Sequence, residues 1–439
     1  MPSGCVTVQL GQAGNQVGAA LFAALSETAR GDDGVLPVFR EARDGRLVAR
    51  AVLVDMEPKV VHQVMGREEE EEEEKKGARG WAYARDAAVV RQSGSGNNWA
   101  YGYMEHGAAV EDEVLEAVRR EVERCDAFGG LQVLQSLAGG TGSGLGARVT
   151  TSLRDAFPDA FLLNKAIWPS DSGEVIVQSY NTALSLAMLL DVSDGVVVVQ
   201  NDDLDLVCRK LMQMKRPTLG AMNGVLASQL RQLWMPSRRA DDGRRVDMLA
   251  DPMAHLCSQP AFKLLTLRAV PQMPAGSVAF SQSSWPPIVK TMRQMLVADS
   301  RLEEGIDWSL DPHRRGDARR VSRSLATWLV LHGQGAREAD TSPFADAAIY
   351  AAARHGTRSL VSTSECAMAP YEHSAVLLAN SQAICNPLDR TLAKAATLFD
   401  SGAYLHHYAK YGVDASQFRR AFAHLEQALA DYRSLSTHS

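Results

Sequence analysis

The stretch "LQSLAGGTGSGLGARVTTSL", residues 134–153, sets five glycines within ten residues, between an apolar run (Leu131 to Leu137) and helical spacing that continues to about Arg154. The order reads as strand, glycine loop, helix. A turn from the carboxyl end of a parallel strand into a helix leaves N–H groups free at the positive end of the helix dipole, which suits an anion. Glycine lets that backbone close around phosphate oxygens. The same loop would also serve if the chain needed nothing more than tight strand–helix packing. Two further polar, glycine-rich stretches, "GQAGNQ" (Gly11 to Gln16) and "SGSGNN" (Ser93 to Asn98), favour the ligand reading. In a doubly wound sheet such turns gather along one carboxyl edge.

Two common phosphate motifs fit poorly. The GxxxxGK[ST] form fails because the glycines run into Leu145 without a lysine. A dinucleotide fingerprint can be placed on Gly142, Gly144 and Ala147, but it is not on the first strand, and no acidic residue ends a strand about twenty residues later.

The rest of the chain repeats the alternation. "CVTVQL" is a short β-branched run, and "GQAGNQVGAALFAALSETA" after it predicts a glycine-rich turn and then a helix. "RAVLVDMEP" (Arg50 to Pro58) reads as a buried strand that ends on Asp55 and Glu57. Apolar positions 110, 114, 118 and 122 predict a half-buried helix, and "DGVVVVQND" (Asp194 to Asp202) an interior strand. Continuous apolar strands alternating with helices predict an α/β fold with a doubly wound parallel sheet covered on both faces. After Pro217 the texture changes. "LGAMNGVLASQLRQLW" is helical, and short β-like runs, "FKLLTLRAV", "ATWLVLHG" and "SAVLLANS", predict a mixed α+β domain. The end is helical: Phe418, Phe422, Leu425, Leu429 and Tyr432 form one stripe, and Asp414 with Gln417 fits a capping box. The expected boundaries are 1–205, 206–380 and 381–439. The last helix and "QSSWPPIV" (Gln282 to Val289) read either as partner faces or as ordinary packing.

Composition narrows the function. At 439 residues, two or three domains fit. A hydrophobic content of 46% with 22% charged residues is that of a globular protein, and no window is apolar enough for a membrane span. The N-terminal residues carry neither a secretory nor a transit pattern, so the cytosol is expected. Six scattered cysteines argue against zinc and disulfides. A net charge of -6 argues against nucleic acid as a partner. "REEEEEEEKK" (Arg67 to Lys76) reads as a solvated loop or exposed helix.

"GGTGSG" (Gly139 to Gly144), with "GQAGNQ", "RAVLVDMEP", "QSGSGNNWAYGY" (Gln92 to Tyr103), "SYNTALSL" (Ser179 to Leu186) and "NSQAI" (Asn380 to Ile384), resembles the tubulin family, whose motifs occur in this order along the whole chain. The wording of these stretches is closer to a minor branch of the family than to alpha or beta. The opening MPSGCV and the absence of an acidic tail after the last helix point the same way.

The resemblance implies GTP or GDP, with Mg²⁺. Ser136, Ala138 and Gly139, Gly140, Thr141, Gly142, Ser143 and Gly144 would cradle the β- and γ-phosphates, Thr141 and Ser143 adding hydroxyl donors. Gly11, Gln12, Ala13 and Gln16 would lie against phosphate and base. Gly96 and Asn97 would approach the γ-phosphate side. Asp55 and Glu57 would hold Mg²⁺ through water, as hard oxygen ligands do. Glu174 and Gln178 belong to the segment that meets the ribose, and Asn201 and Asn223 match the asparagines that read guanine, whose edge requires both donor and acceptor. Three positions depart from the family pattern. Leu219 replaces a tyrosine that stacks on the base, Gln178 replaces a glutamate, and Ala138 replaces a glycine.

Hydrolysis in the family uses an acidic residue from the next subunit, and the resemblance places Asp251 there. Asp251, which precedes Pro252, equally suits the opening of a helix or turn. The implied role is structural: assembly of centriolar and basal-body microtubules, the additional tubules of triplets in particular, and of cilia. The implied partners are other tubulins, epsilon-, alpha- or beta-. The other class to weigh is a Rossmann-type nucleotide-dependent enzyme, for which no His, Cys or Lys constellation stands out.

Overall fold

The computed structural model describes residues 3–31, 34–66, 80–173, 175–278, 284–317, 319–351 and 358–435. Glu174 and the acidic run from Arg67 to Lys76 lie outside them. The chain divides into two compact units, Met1–Val196 with Leu388–Gln427, and Val197–Pro387 with Ala428–Ser439.

The first unit is built on five parallel strands. These are β1 (Gly4–Leu10), β2 (Ala51–Asp55), β3 (Ala88–Val90), β4 (Phe128–Ser136) and β5 (Phe161–Trp168). Their spatial order is β3-β2-β1-β4-β5. Every residue of β1 and β2 is buried, which is why these strands read as unbroken apolar runs rather than alternating ones. The order reverses between β1 and β4, the place where open α/β sheets bind ligands beyond their carboxyl ends. One face of the sheet is dry: Val6, Val8, Val52 and Val133 pack with Val110, Val114 and Val118 of α3 (Gly107–Glu123) and Val149 and Leu153 of α4 (Gly146–Ala156). The other carries a buried polar row. Gln132 Nε2 donates to Thr7 Oγ1 at 2.7 Å, and Lys165 Nζ donates to Gln132 Oε1. Burial pushes the Lys165 ammonium down to about 7.

The chain's C-terminal helices are α10 (Cys385–Asp400), α11 (Leu405–Ala409) and α12 (Ala415–Ser434). The capping box is present, because Asp414 Oδ1 accepts from the Gln417 N–H at 3.2 Å while Gln417 Oε1 accepts from the Asp414 N–H at 2.8 Å. The aromatic stripe is packing and not a partner face. Phe418 lies 4.8 Å from Tyr180 and 5.2 Å from Tyr408, centroid to centroid.

α2 (Pro58–Val64) follows β2, and the interior strand expected from "DGVVVVQND" is β6 (Gly195–Gln200), buried up to Val199. The second unit holds a mixed sheet. Its strands β7 (Leu264–Val270), β8 (Ser324–His332), β9 (Ser359–Ser364) and β10 (Ser374–Ser381) stand in the order β9-β8-β10-β7, with Arg238–Arg239 paired outside β9. β8 and β9 are parallel, and β10 is antiparallel to both β8 and β7. Ile288, Met292 and Met295 of α9 (Trp285–Val297) meet Leu329, Leu331 and Leu377 in its core. Trp285 is the first residue of that helix. Its Nε1 donates to the Gln334 carbonyl at 3.0 Å and its ring packs edge-on against His373, so it too is held and not a free loop aromatic.

None of the six cysteines forms a disulfide, and among the described residues no cluster of three or more His, Cys, Asp or Glu is placed to hold a metal. No described helix is long and apolar enough to cross a membrane.

Candidate functional site

Register places the first elements of the site. Leu10 pairs with Val54 on one side and with Gln135 on the other, so Gly11, Asp55 and Ser136 leave the sheet side by side at one carboxyl edge. No loop separates β1 from the helix that follows, contrary to the turn expected there. α1 (Gly11–Ser26) starts directly at Gly11, whose φ of +70° turns the chain within a single residue. Gln12 is exposed, Ala13 and Gln16 are half-buried, and Gln12 and Gln16 share the open face one turn apart.

The glycine loop follows Ser136. Ser136 Oγ accepts from the Ala138 N–H at 3.2 Å, Gly139 and Gly140 bend, and one wide helical turn over Thr141–Leu145 leads into α4. The need for bare backbone is steric. A Cβ on Gly144 would fall 2.1 Å from the Trp99 carbonyl oxygen, and one on Gly140 would fall 2.5 Å from Ser95 Cβ. Gly139 differs, because a Cβ there would meet only Asn97 Oδ1, at 3.4 Å. Ala138, Gly139 and Thr141 stay partly open, while Gly142, Ser143 and Gly144 are buried. Both hydroxyls are engaged by the protein: Ser143 Oγ donates to the Gly139 carbonyl within the loop, and Thr141 Oγ1 shares a 2.6 Å hydrogen bond with Ser95 Oγ of the third turn. The Gly144 N–H donates to the Gly140 carbonyl at 2.8 Å, and the N–H groups before it are the ones a helix start leaves without an intrahelical acceptor.

The third turn, Ser93 to Asn98, closes over this loop. Asn97 is exposed at φ +52°, and Asn98 caps the following helix by accepting from the Ala100 N–H at 2.8 Å. Asn181, to which sequence reading assigned no role, joins the turns. It belongs to α5 (Gln178–Val192), has no exposed surface, and donates to the Asn97 carbonyl at 2.8 Å and to the Ala138 carbonyl at 2.6 Å. A second missed asparagine, Asn15, ties α1 to β2 by donating to the Gly11 and Val54 carbonyls at 2.9 and 3.2 Å. The sequence marks both only as an amide within an otherwise apolar helical run, which names no partner.

Asp55 ends β2 with 4% of its surface exposed. Its Oδ1 accepts from the Met56 and Glu57 N–H groups at 2.8 and 3.3 Å, and its Oδ2 is buried without a hydrogen-bond partner among the described residues. Burial pushes its carboxyl up to about 6, with the Glu57 charge adding to the rise. A buried carboxylate oxygen with an open valence, beside the exposed Glu57, fits a divalent cation held largely by water and phosphate oxygens. The Gln178 amide is engaged locally, donating to the Ser170 carbonyl at 2.8 Å.

The remaining candidates belong to the second unit. Asn201 opens α6 (Asn201–Leu206) and is half-buried. Leu219 and Asn223 lie one turn apart on α7 (Leu219–Trp234), whose Thr218 cap accepts from the Ala221 N–H at 3.2 Å. Leu219 is 55% exposed. Asp251 stands in the first turn of α8 (Ala250–Leu256). Its carboxylate takes the Arg244 guanidinium at 2.9 Å on one oxygen and the Asp247 N–H at 2.8 Å on the other. A helix-opening role is thus visible in its contacts, and Asp247 caps the same helix by accepting from the Leu249 and Ala250 N–H groups.

Comparison with known proteins bears on this geometry. The family described as Tubulin/FtsZ family, GTPase domain, matches residues 4–209. The tubulin delta chains of Homo sapiens and Mus musculus are each 38% identical over 457 aligned residues, covering 98% of this chain and 99% of the relative. The tubulin beta chain of Porphyra purpurea is 28% identical, covering 97% of this chain and 91% of its own length.

Proposed function

The chain belongs to the tubulin family and carries its guanine-nucleotide-binding GTPase domain, and on that premise we propose that it is a subunit for assembling centriolar and basal-body microtubules. The nucleotide, GTP or GDP, lies at the carboxyl edge of β1, β2 and β4. The observation that supports this placement is the meeting of three turns there at close range, a Gly140 Cβ position lying 2.5 Å from Ser95 Cβ and a Gly11 Cβ position 3.0 Å from the Gly142 nitrogen.

In this reading the N–H groups of Gly139 to Thr141 donate to phosphate oxygens, and the Ser143 hydroxyl shapes the loop instead of touching the ligand. Gln12 and Gln16 face the nucleotide from α1. Asn97 stands at the γ-phosphate end, and the family resemblance assigns the base to Asn201 and Asn223. Asp55 and Glu57 orient the waters of a Mg²⁺ ion, which when bound offsets phosphate charge. Other tubulins, epsilon-, alpha- or beta-, are the longitudinal and lateral partners. Asp251 of one subunit orients the attacking water at its neighbour's γ-phosphate, released for that role from Arg244.

Competition binding tests the reading. A fluorescent GTP analogue bound by the purified protein and displaced by GTP and GDP, but not by ATP or NAD, is the expected result. Displacement by NAD alone would instead assign the site to a Rossmann-type enzyme.

A further inference from the structure

Every polar valence of the Asn181 side chain is used. Its two N–H groups hold the Asn97 and Ala138 carbonyls, and its Oδ1 accepts from the Trp99 N–H at 3.1 Å and from the Tyr408 hydroxyl at 2.6 Å. Because the peptide unit is planar and trans, a carbonyl of Ala138 turned toward Asn181 turns the Gly139 N–H the opposite way, toward the open side of the loop. Holding the Asn97 carbonyl likewise fixes the left-handed turn from which the Asn97 side chain reaches over Gly139.

Tyr408 brings a distant segment into the same network. It is fully buried, edge-on to Tyr180 at 5.7 Å. The segment around it is pinned at further points: Tyr180 Oη donates to the Ala403 carbonyl at 3.2 Å, Asn98 Nδ2 donates to the His407 carbonyl at 3.0 Å, and Tyr101 and Tyr411 rings lie 4.9 Å apart. Its outer side presents exposed His406, His407 and Lys410.

We propose that Asn181 is a positioning residue that locks the two phosphate-facing turns together and, through the Tyr408 hydroxyl, couples occupancy of the phosphate site to the exposed face of residues 404–411. This rests on the nucleotide reading above and adds its regulation. Coupling of this kind is reciprocal: whatever firms the 404–411 face tightens the nucleotide, and the nucleotide firms that face.

The test compares the wild-type chain with Tyr408→Phe, which removes one donor and keeps the packed ring, and with Asn181→Asp, which removes both donors. GTP and GDP affinities are measured for each, with hydrogen exchange of residues 404–411 followed with and without GTP. Tyr408→Phe is expected to weaken GTP by about fivefold, the equivalent of one hydrogen bond, and GDP by less than about twofold, because Asn97 serves the γ-phosphate end. Asn181→Asp is expected to weaken GTP further. GTP should slow exchange in 404–411 of the wild type and not of Tyr408→Phe. Equal loss for both nucleotides, no loss for either, or no exchange response in the wild type overturns the coupling alone. A wild-type chain that binds neither nucleotide overturns the nucleotide reading and this inference together.

Discussion

Alanine at Gly144 and alanine at Gly139 should fail in different ways. A methyl at Gly144 would fall 2.1 Å from the Trp99 carbonyl oxygen and 2.9 Å from the Tyr103 nitrogen, both backbone atoms that cannot rotate aside. Ordinary contact begins near 3.4 Å, so the glycine loop and the 99–103 helix would have to separate by more than about 1 Å. Forcing one methyl into packing this tight costs about 1–3 kcal/mol, which for a unit of this size lowers the melting temperature by roughly 2–12 °C. At Gly139 the nearest atom is Asn97 Oδ1 at 3.4 Å, ordinary contact, so the nucleotide-free protein should melt within about 1 °C of wild type. That methyl would stand on the open side of the loop, where phosphate oxygens approach, and GTP affinity should fall at least about tenfold. Thermal melts without nucleotide, set beside GTP titrations, separate the two effects. Gly139→Ala with unchanged GTP affinity, or Gly144→Ala with an unchanged melt, would refute the assignment of one glycine to the ligand and the other to packing.

Other outcomes follow from single groups. Burial pushes the Glu303 carboxyl up to about 7 from its ordinary 4.5, so its folded form holds a proton more tightly than its unfolded form. The stability this contributes is complete below about pH 4.5 and is lost as pH rises through about 7. Glu303→Gln should flatten that fall in a pH series of urea melts, and at pH 8 it should exceed wild type by at most about 3 kcal/mol; a wild type that gains stability over this range contradicts the assignment. Asp251→Asn removes the charge and keeps only one of the two oxygens that accept from Arg244 and the Asp247 N–H. GTP turnover stimulated by co-assembly with other tubulins should drop by about tenfold or more, and turnover equal to wild type would leave Asp251 only its helix-opening role.

The sheet was legible because burial on both faces writes parallel strands as unbroken apolar runs, and "GGTGSG" because close contact admits no side chain at Gly140, Gly142 and Gly144. The direct passage from β1 into α1 was not legible. Nothing in "GQAGNQ" says whether its first glycine takes a positive φ alone or as part of a longer turn. Asn181 sits inside "SYNTALSLAMLL", where local pattern says only apolar helix, and its partners are 43, 84 and 227 residues away in sequence. The packed state of Trp285 also depended on partners remote in the chain, the Gln334 carbonyl among them. Asp251 illustrates the remaining gap. Its motif position suggested chemistry, while its contacts with Arg244 and Asp247 are those of a structural residue, and the two roles are compatible only if assembly reorganises the pair.

The most direct measurement is chromatographic identification of the nucleotide released when the purified protein is denatured. GDP or GTP in near-stoichiometric amount is the predicted result. An adenine or nicotinamide nucleotide in its place would contradict a guanine site at the edge of β1, β2 and β4.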